Sequence, residues 1–223
     1  MLLLAVDTSG KHGSVALARC GPAKTCNVIE VVPLEGGTFS AQLVPQVAAL
    51  LTKHGPGKQE IGGLAVVSGP GSFTGLRIGL AVIKAFGDTL AKPIAAVSLL
   101  HAMAVSGRAR GRVIAVLDAG RGEVYAGEYD VDTSGARFVS ERLLARSELV
   151  ESGSGSLVVT ADPSLAAAAR DAGLRVEEIE LPRSDVIARL GWQKIQAGDT
   201  VSPEDLDANY IRRSSEIFSK GSF

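Results

Sequence analysis

A glycine-rich turn that joins an apolar strand to a helix, residues 68–90 (SGPGSFTGLRIGLAVIKAFGDTL), restricts this chain more than any other stretch. Gly69, Gly71 and Gly75 permit positive φ or close backbone approach, Pro70 fixes the turn, and Ser72 or Thr74 offers a cap for the helix that begins there. The pattern is a strand, a tight loop and a helix N-terminus. Free N–H groups and the helix dipole at such a corner can receive a phosphate, although the GxxxxGK[ST] pattern of a P-loop is absent.

The helix carries a second message. At about 100° per residue, Arg77, Lys84 and Asp88 share one narrow polar strip. Leu76, Ile78, Gly79, Leu80, Val82, Ile83, Ala85, Phe86 and Leu90 fill the rest, an apolar arc of roughly 220° where about 100° covers one core face. Two readings stay open: a helix buried in a two-sided α/β layer, or one with a core face and a docking face. Gly75 and Gly79, four residues apart, let a neighbouring segment come close.

At 223 residues with 46% apolar side chains, the chain suffices for one large domain or two small ones. The net charge of −1 comes with scattered Lys and Arg, so no broad basic face announces nucleic-acid binding, and RNA contact is expected to be indirect. The opening MLLLAVDTS has no basic n-region, its apolar run is too short for a signal peptide, and no run approaches a membrane span; a cytoplasmic protein with no membrane partner is expected. Cys20 and Cys26 flank GPAKT. A hairpin disulfide is conceivable there, but a reducing compartment favours two free thiols.

Along the chain, residues 2–7 form an apolar run ending in Asp7, residues 14–19 alternate as a second strand, and residues 27–33 make a third. Residues 40–54 read as a helix with Leu43, Val47, Leu50 and Leu51 on one side and a bend at Pro45. Strands follow at 64–68 and 94–97, and Ser98 is placed to cap a further short helix. SGRARG at 106–111 reads as a linker. Beyond it RVIAVLDAGRGEVYAGEYD repeats the plan of LLLAVDTSGKHGSVALA, with Asp118 in the place of Asp7, so two lobes of one design are expected, spanning 1–107 and 108–223. The second lobe continues with strands near 137–139 and 157–160, helices at 163–172 and 184–197, and a polar tail that Tyr210 and Ile211 pin to the body.

Asp7 and Asp118, at matching strand ends, are placed to face a common cleft and hold a metal-nucleotide or act as acid and base, although Asp is also a favoured turn residue. His12, His54 and His101 form no HxxxH or HxH pair, so no metal site is expected. Arg77 and Arg121 can contact a phosphate or carboxylate, or form structural ion pairs. No GxSxG elbow is present.

VDTS at 6–9, SGPGSFTGLRIG at 68–79, AKPIAAVSLLHAMA at 91–104, LDAGRGEVYAGEY at 117–129 and NYIRR at 209–213 together resemble the TsaB (YeaZ) family of tRNA threonylcarbamoyladenosine biosynthesis. The likeness is strong over about the first 130 residues and loose beyond. It implies the α/β fold of actin, hexokinase and Hsp70 ATPases (the ASKHA fold), with two ribonuclease-H-like lobes. The resemblance further implies a catalytic paralogue, TsaD, whose HxxxH metal histidines fall here on Leu99 and Met103, with His101 between them. Phe39 stands where relatives often have a histidine.

The implied function is therefore a non-catalytic partner that binds and activates a TsaD-like transferase, with no cofactor required and no metal. The resemblance also implies a homodimer, a TsaE-like ATPase met through the complex, and tRNA met only indirectly. The family docks through its first two long helices, which gives Phe39, Leu43, Val47, Phe73, Leu76, Arg77, Gly79, Leu80 and Ile83 as candidate interface residues. Asp7, Thr8, Ser9 and Asp118 are candidates for ATP or ADP binding. The enzyme-class alternative is an ATPase or phosphotransferase of the same fold, using those aspartates and the loop at 69–75.

Overall fold

The computed structural model describes residues 1–22, 25–55 and 57–211. Arg212 and Arg213 of the NYIRR motif, and Ala23 and Lys24 between the cysteines, lie outside the described residues. The described residues form two compact units, Met1–Leu99 with Pro182–Ala208, and Leu100–Leu181 with residues 209–211.

In the first unit, β1 (Leu2–Asp7), β2 (His12–Cys20) and β3 (Cys26–Glu35) form an antiparallel meander, and β4 (Ile61–Gly69) and β5 (Ile94–Ser98) extend it in parallel, giving the order β3-β2-β1-β4-β5. β1 is buried along its whole length, which is why it reads as an unbroken apolar run rather than an alternation. Helices α1 (Phe39–His54) and α2 (Phe73–Leu90) pack beside one another, and α1 runs continuously through Pro45. Alternation along β1 sends Val6 toward α2, since a β-carbon on Gly79 would lie 3.5 Å from it.

The opposite face is covered by α6 (Ser184–Gln196), where Gly191 lies so close to the sheet that an added β-carbon would stand 2.4 Å from that of Ala65. The helix is fastened at its start, where Ser184 Oγ donates to the Ser14 carbonyl at 2.7 Å and Ser14 Oγ accepts from Ser184 N at 2.9 Å. The boundary drawn from sequence at residues 107 and 108 therefore needs correction. The stretch 182–208 belongs to the first unit, because Ile187, Ala188 and Gly191 cover a sheet face left bare by α1 and α2.

The second unit begins at Leu100, one residue into α3 (Leu99–Ser106), which directly follows Ser98, the last residue of β5. Next come β6 (Gly111–Gly120), β7 (Glu123–Val131), β8 (Ala136–Ala145), α4 (Glu148–Gly153), β9 (Leu157–Thr160), α5 (Pro163–Asp171) and β10 (Arg175–Glu178). The order β10-β9-β6-β7-β8, antiparallel across β6, β7 and β8 and parallel across β6, β9 and β10, is the strand plan of the first unit repeated. Ile114, Val116, Val124, Ala126, Leu149, Val158 and Leu165 form its core. β8 extends well past the 137–139 expected from sequence.

Cys20 and Cys26 stand opposite one another on β2 and β3 and are joined as a disulfide, which corrects the expectation of two free thiols. The antiparallel register sets them face to face, a proximity that compartment arguments do not consider.

Candidate functional site

The end of β1 and the glycine-rich loop form one interlocked corner. Asp7, Thr8 and Ser9 are each only 2% exposed. Ser9 donates to Asp7 Oδ1 from its backbone N–H at 2.8 Å and from its hydroxyl at 2.6 Å. Thr8 Oγ1 donates to the Gly75 carbonyl at 2.7 Å, and the Ser72 N–H donates to the Ser9 carbonyl at 2.6 Å. Ser72 also caps α2, its hydroxyl accepting from Gly75 N at 3.3 Å.

These contacts explain the glycines. A β-carbon on Gly71 would come within 2.4 Å of the Ser9 carbonyl oxygen, and one on Gly75 within 2.0 Å of the Thr8 carbonyl oxygen. The corner that resembles a phosphate cradle in sequence thus holds the chain's own carbonyl groups, and glycine is required by backbone packing against backbone. Burial raises the Asp7 pKa above its usual carboxylate value, and the two Ser9 hydrogen bonds only partly oppose that shift.

Asp118 lies at the matching position of the other unit, near the end of β6, in a different environment. It is partly exposed and bonded to Arg146 Nη2 at 2.9 Å. Of the four nucleotide candidates, the structure brings together Asp7, Thr8 and Ser9 in the first unit, and places Asp118 with Arg146 in the second. Arg121 occupies a left-handed turn at φ 58°, and Arg77 lies 3.7 Å over the Phe73 ring.

The candidate interface residues divide sharply. Phe39, Leu43, Val47, Leu76, Gly79, Leu80 and Ile83 are buried within the first unit, so their side chains serve its own core; assigning them to a partner surface is corrected. Phe73 is 48% exposed and Arg77 is exposed with it. The outward face of α1 instead carries Ala41, Val44 (49% exposed), Pro45 and Ala48, and that of α2 carries Ala81 and Ala85, flanked by half-buried Ile78, Val82 and Phe86. Sequence reasoning missed Val44, Ala48 and Ala81. Their signal was present in the helical period: each lies on the side of its helix away from the buried residues.

Leu99 and Met103 are fully packed core residues at the start and middle of α3. His101 stacks on Tyr129 with ring centroids 5.3 Å apart, and Phe138 meets Tyr129 edge-on at 6.1 Å. Among the described residues, no group of three or more His, Cys, Asp or Glu side chains is placed to hold a metal ion.

Two mixed sheets of one strand order, each opened by a strand with an aspartate at or near its end, with helices flanking them, define an α/β protein of the actin, hexokinase and Hsp70 class. The family model described as TsaD, tRNA N6-adenosine threonylcarbamoyltransferase, matches residues 31–189. The chain is 33% identical to the tRNA threonylcarbamoyladenosine biosynthesis protein TsaB of Escherichia coli, over 96% of each chain. It is 35% identical to the TsaB of Bacillus subtilis over 58% of this chain and 55% of that one. A solved structure from Pseudomonas aeruginosa, described as an uncharacterized protein with similarity to peptidase YEAZ, superposes with a TM-score of 0.78 at 26% identity, covering 95% of this chain and 99% of the other. The chain belongs to the TsaB family, within the wider group that the TsaD model describes.

Proposed function

We propose that this protein is the non-catalytic partner that binds and activates a TsaD-like transferase, so that threonylcarbamoyl passes from its adenylate to N6 of adenosine 37 in tRNA. The observation that carries this reading is the pair of outward helix faces on α1 and α2, where Val44, Ala48, Ala81 and Ala85 stand exposed although the same helices already bury a full core face. Small apolar side chains let another pair of helices approach closely, and Arg77 and Asp88, exposed beside Ala81 on α2, offer polar contacts at the edge of such an interface. The identity of residues 99 and 103 supports the same reading. In a TsaD-like paralogue these positions supply metal-binding histidines, whereas Leu99 and Met103 are core side chains without hard-metal chemistry.

In this scheme the protein acts in the cytoplasm and requires no cofactor of its own. It forms a homodimer through the α1 and α2 faces and exchanges that contact for the transferase. A TsaE-like ATPase and tRNA are met through the complex. The test is co-purification with a TsaD-like paralogue followed by assay of tRNA modification in a reconstituted system. Modification that proceeds at full rate without this chain overturns the proposal. So does ATP turnover by the isolated chain that is lost in Asp7→Ala, which would favour the phosphotransferase alternative.

A further inference from the structure

We propose that Cys20 and Cys26 form a reversible dithiol–disulfide pair that controls the end of the β2–β3 hairpin, exchanging with a low-molecular-weight thiol such as glutathione. The two residues are directly opposed in the antiparallel register, with Cα atoms 4.0 Å apart and six residues of sequence separation. The ladder beyond them, from His12↔Glu35 to Arg19↔Asn27, does not depend on the bond, so a reduced pair stays within reach of re-closure. Because the closed loop is so short, the bond removes little chain entropy from the unfolded state, and its reduction leaves the unit folded.

Access is unequal. Cys20 is 2% exposed, whereas Cys26 is only half-buried, so an incoming thiolate reaches the Cys26 sulfur. The first thiolate bonds to Cys26 Sγ, the disulfide breaks, and Cys20 leaves as a thiolate that takes a proton from water. A second glutathione thiolate attacks the glutathione sulfur of the mixed disulfide, releasing oxidised glutathione and the Cys26 thiolate, which is protonated in turn. Two electrons pass to the protein and two thiols are oxidised to one disulfide; re-oxidation reverses each step.

The pair is wired to the rest of the first unit through the residue beside it. The Gly21 carbonyl accepts from Trp192 Nε1 at 2.9 Å and from Gln196 Nε2 at 3.5 Å, which ties the hairpin turn to the last turns of α6. Cys20 exchanges backbone hydrogen bonds with Met1, accepting from the terminal amine at 2.7 Å and donating to the Met1 carbonyl at 2.8 Å. Opening the bond loosens the turn that presents the Gly21 carbonyl. Trp192, the single tryptophan of the chain, is nine-tenths buried against that turn and reports its state.

The experiment equilibrates the full chain without oxygen in glutathione buffers from fully reduced to fully oxidised, quenches with acid, alkylates and weighs the protein, while Trp192 emission is recorded on the same samples. The expected result is one transition in which two alkyl groups are gained together as the buffer becomes reducing, with Trp192 emission moving to longer wavelength over the same range and circular dichroism unchanged. Cys26→Ser, at the more exposed of the two positions, should show no transition and hold the reduced emission throughout. Two alkyl groups at every ratio would overturn the proposal, as would none even in excess reduced thiol. A clean thiol transition with fixed Trp192 emission would overturn the coupling to α6.

Discussion

Gly79 lies against Thr8 so closely that a single added β-carbon would stand 2.4 Å from the threonine hydroxyl, which is itself fixed by its bond to the Gly75 carbonyl. Gly79→Ala is therefore expected to destabilise the protein by about 1–3 kcal/mol, the usual range for overpacking a core. Gly75→Ala should cost at least as much, because its obstacle is the Thr8 carbonyl at 2.0 Å and backbone yields less readily than a side chain. Urea unfolding midpoints of the two variants check both statements; a midpoint equal to wild type in either would show that the corner is looser than described.

Asp7 gives a pH prediction with a definite sign. Its folded-state pKa is raised above the ordinary carboxylate range, chiefly by burial, so its stabilising contribution is present below the unfolded-state pKa and is lost as pH rises through the folded pKa. Asp7→Asn keeps an acceptor for both Ser9 donors and removes the ionisation. The Tm of the variant minus that of wild type should be smallest in acid and grow toward neutral pH. A difference that stays flat across the range, or shrinks with rising pH, would contradict the assigned shift.

Asp162 behaves in the opposite sense. Its carboxylate caps α5, accepting from Ser164 N at 2.8 Å, Ser164 Oγ at 2.7 Å and Leu165 N at 3.3 Å, and the Ser164 side-chain bond is the main reason its pKa is lowered. Asp162→Ala should cost about 1 kcal/mol at neutral pH. A group with a lowered folded pKa stabilises above its unfolded value and loses that contribution as pH falls, so the penalty should fade below about pH 4. Denaturant titrations at neutral and acid pH decide it.

The helix faces separate folding from association. Leu76→Asp and Ile83→Asp place charges in a buried core and should unfold the first unit, by several kcal/mol each. Val44→Asp and Ala81→Asp, at exposed positions, should leave circular dichroism and unfolding midpoints near wild type. If the homodimer uses these faces, the second pair should shift light scattering toward the monomer.

Much of the first unit is legible in the sequence because its strands are buried runs and its helices keep an unbroken period: β1, α1, α2 and β5 fall within a few residues of expectation. The repeat between residues 2–7 and the run ending at Asp118 likewise foretold the shared strand order. Other features depend on tertiary contact. The return of α6 to the first unit is set by Gly191 against Ala65, and no local pattern encodes which sheet an amphipathic helix will cover. The short α4 and β10 were unseen because six and four residues carry too little periodicity. For the candidate site, composition marked the GPGSFTG loop but gave no sign that its glycines accommodate the chain's own Thr8 and Ser9 carbonyls. The wide apolar arc of α2 is visible in the sequence, yet which side meets the sheet is set only by packing, which turns Leu76 and Ile83 inward.

The most direct test of the proposed role is a reconstituted tRNA threonylcarbamoylation assay with a TsaD-like transferase, titrated with wild-type protein and with the folded double variant Val44→Asp/Ala81→Asp. Activity should depend on added wild-type protein. The double variant should need about 10- to 100-fold more protein to reach the same rate, since burying its charges at the contact opposes association. A folded double variant that supports full modification at the wild-type concentration, or a transferase that works equally well alone, would contradict the account.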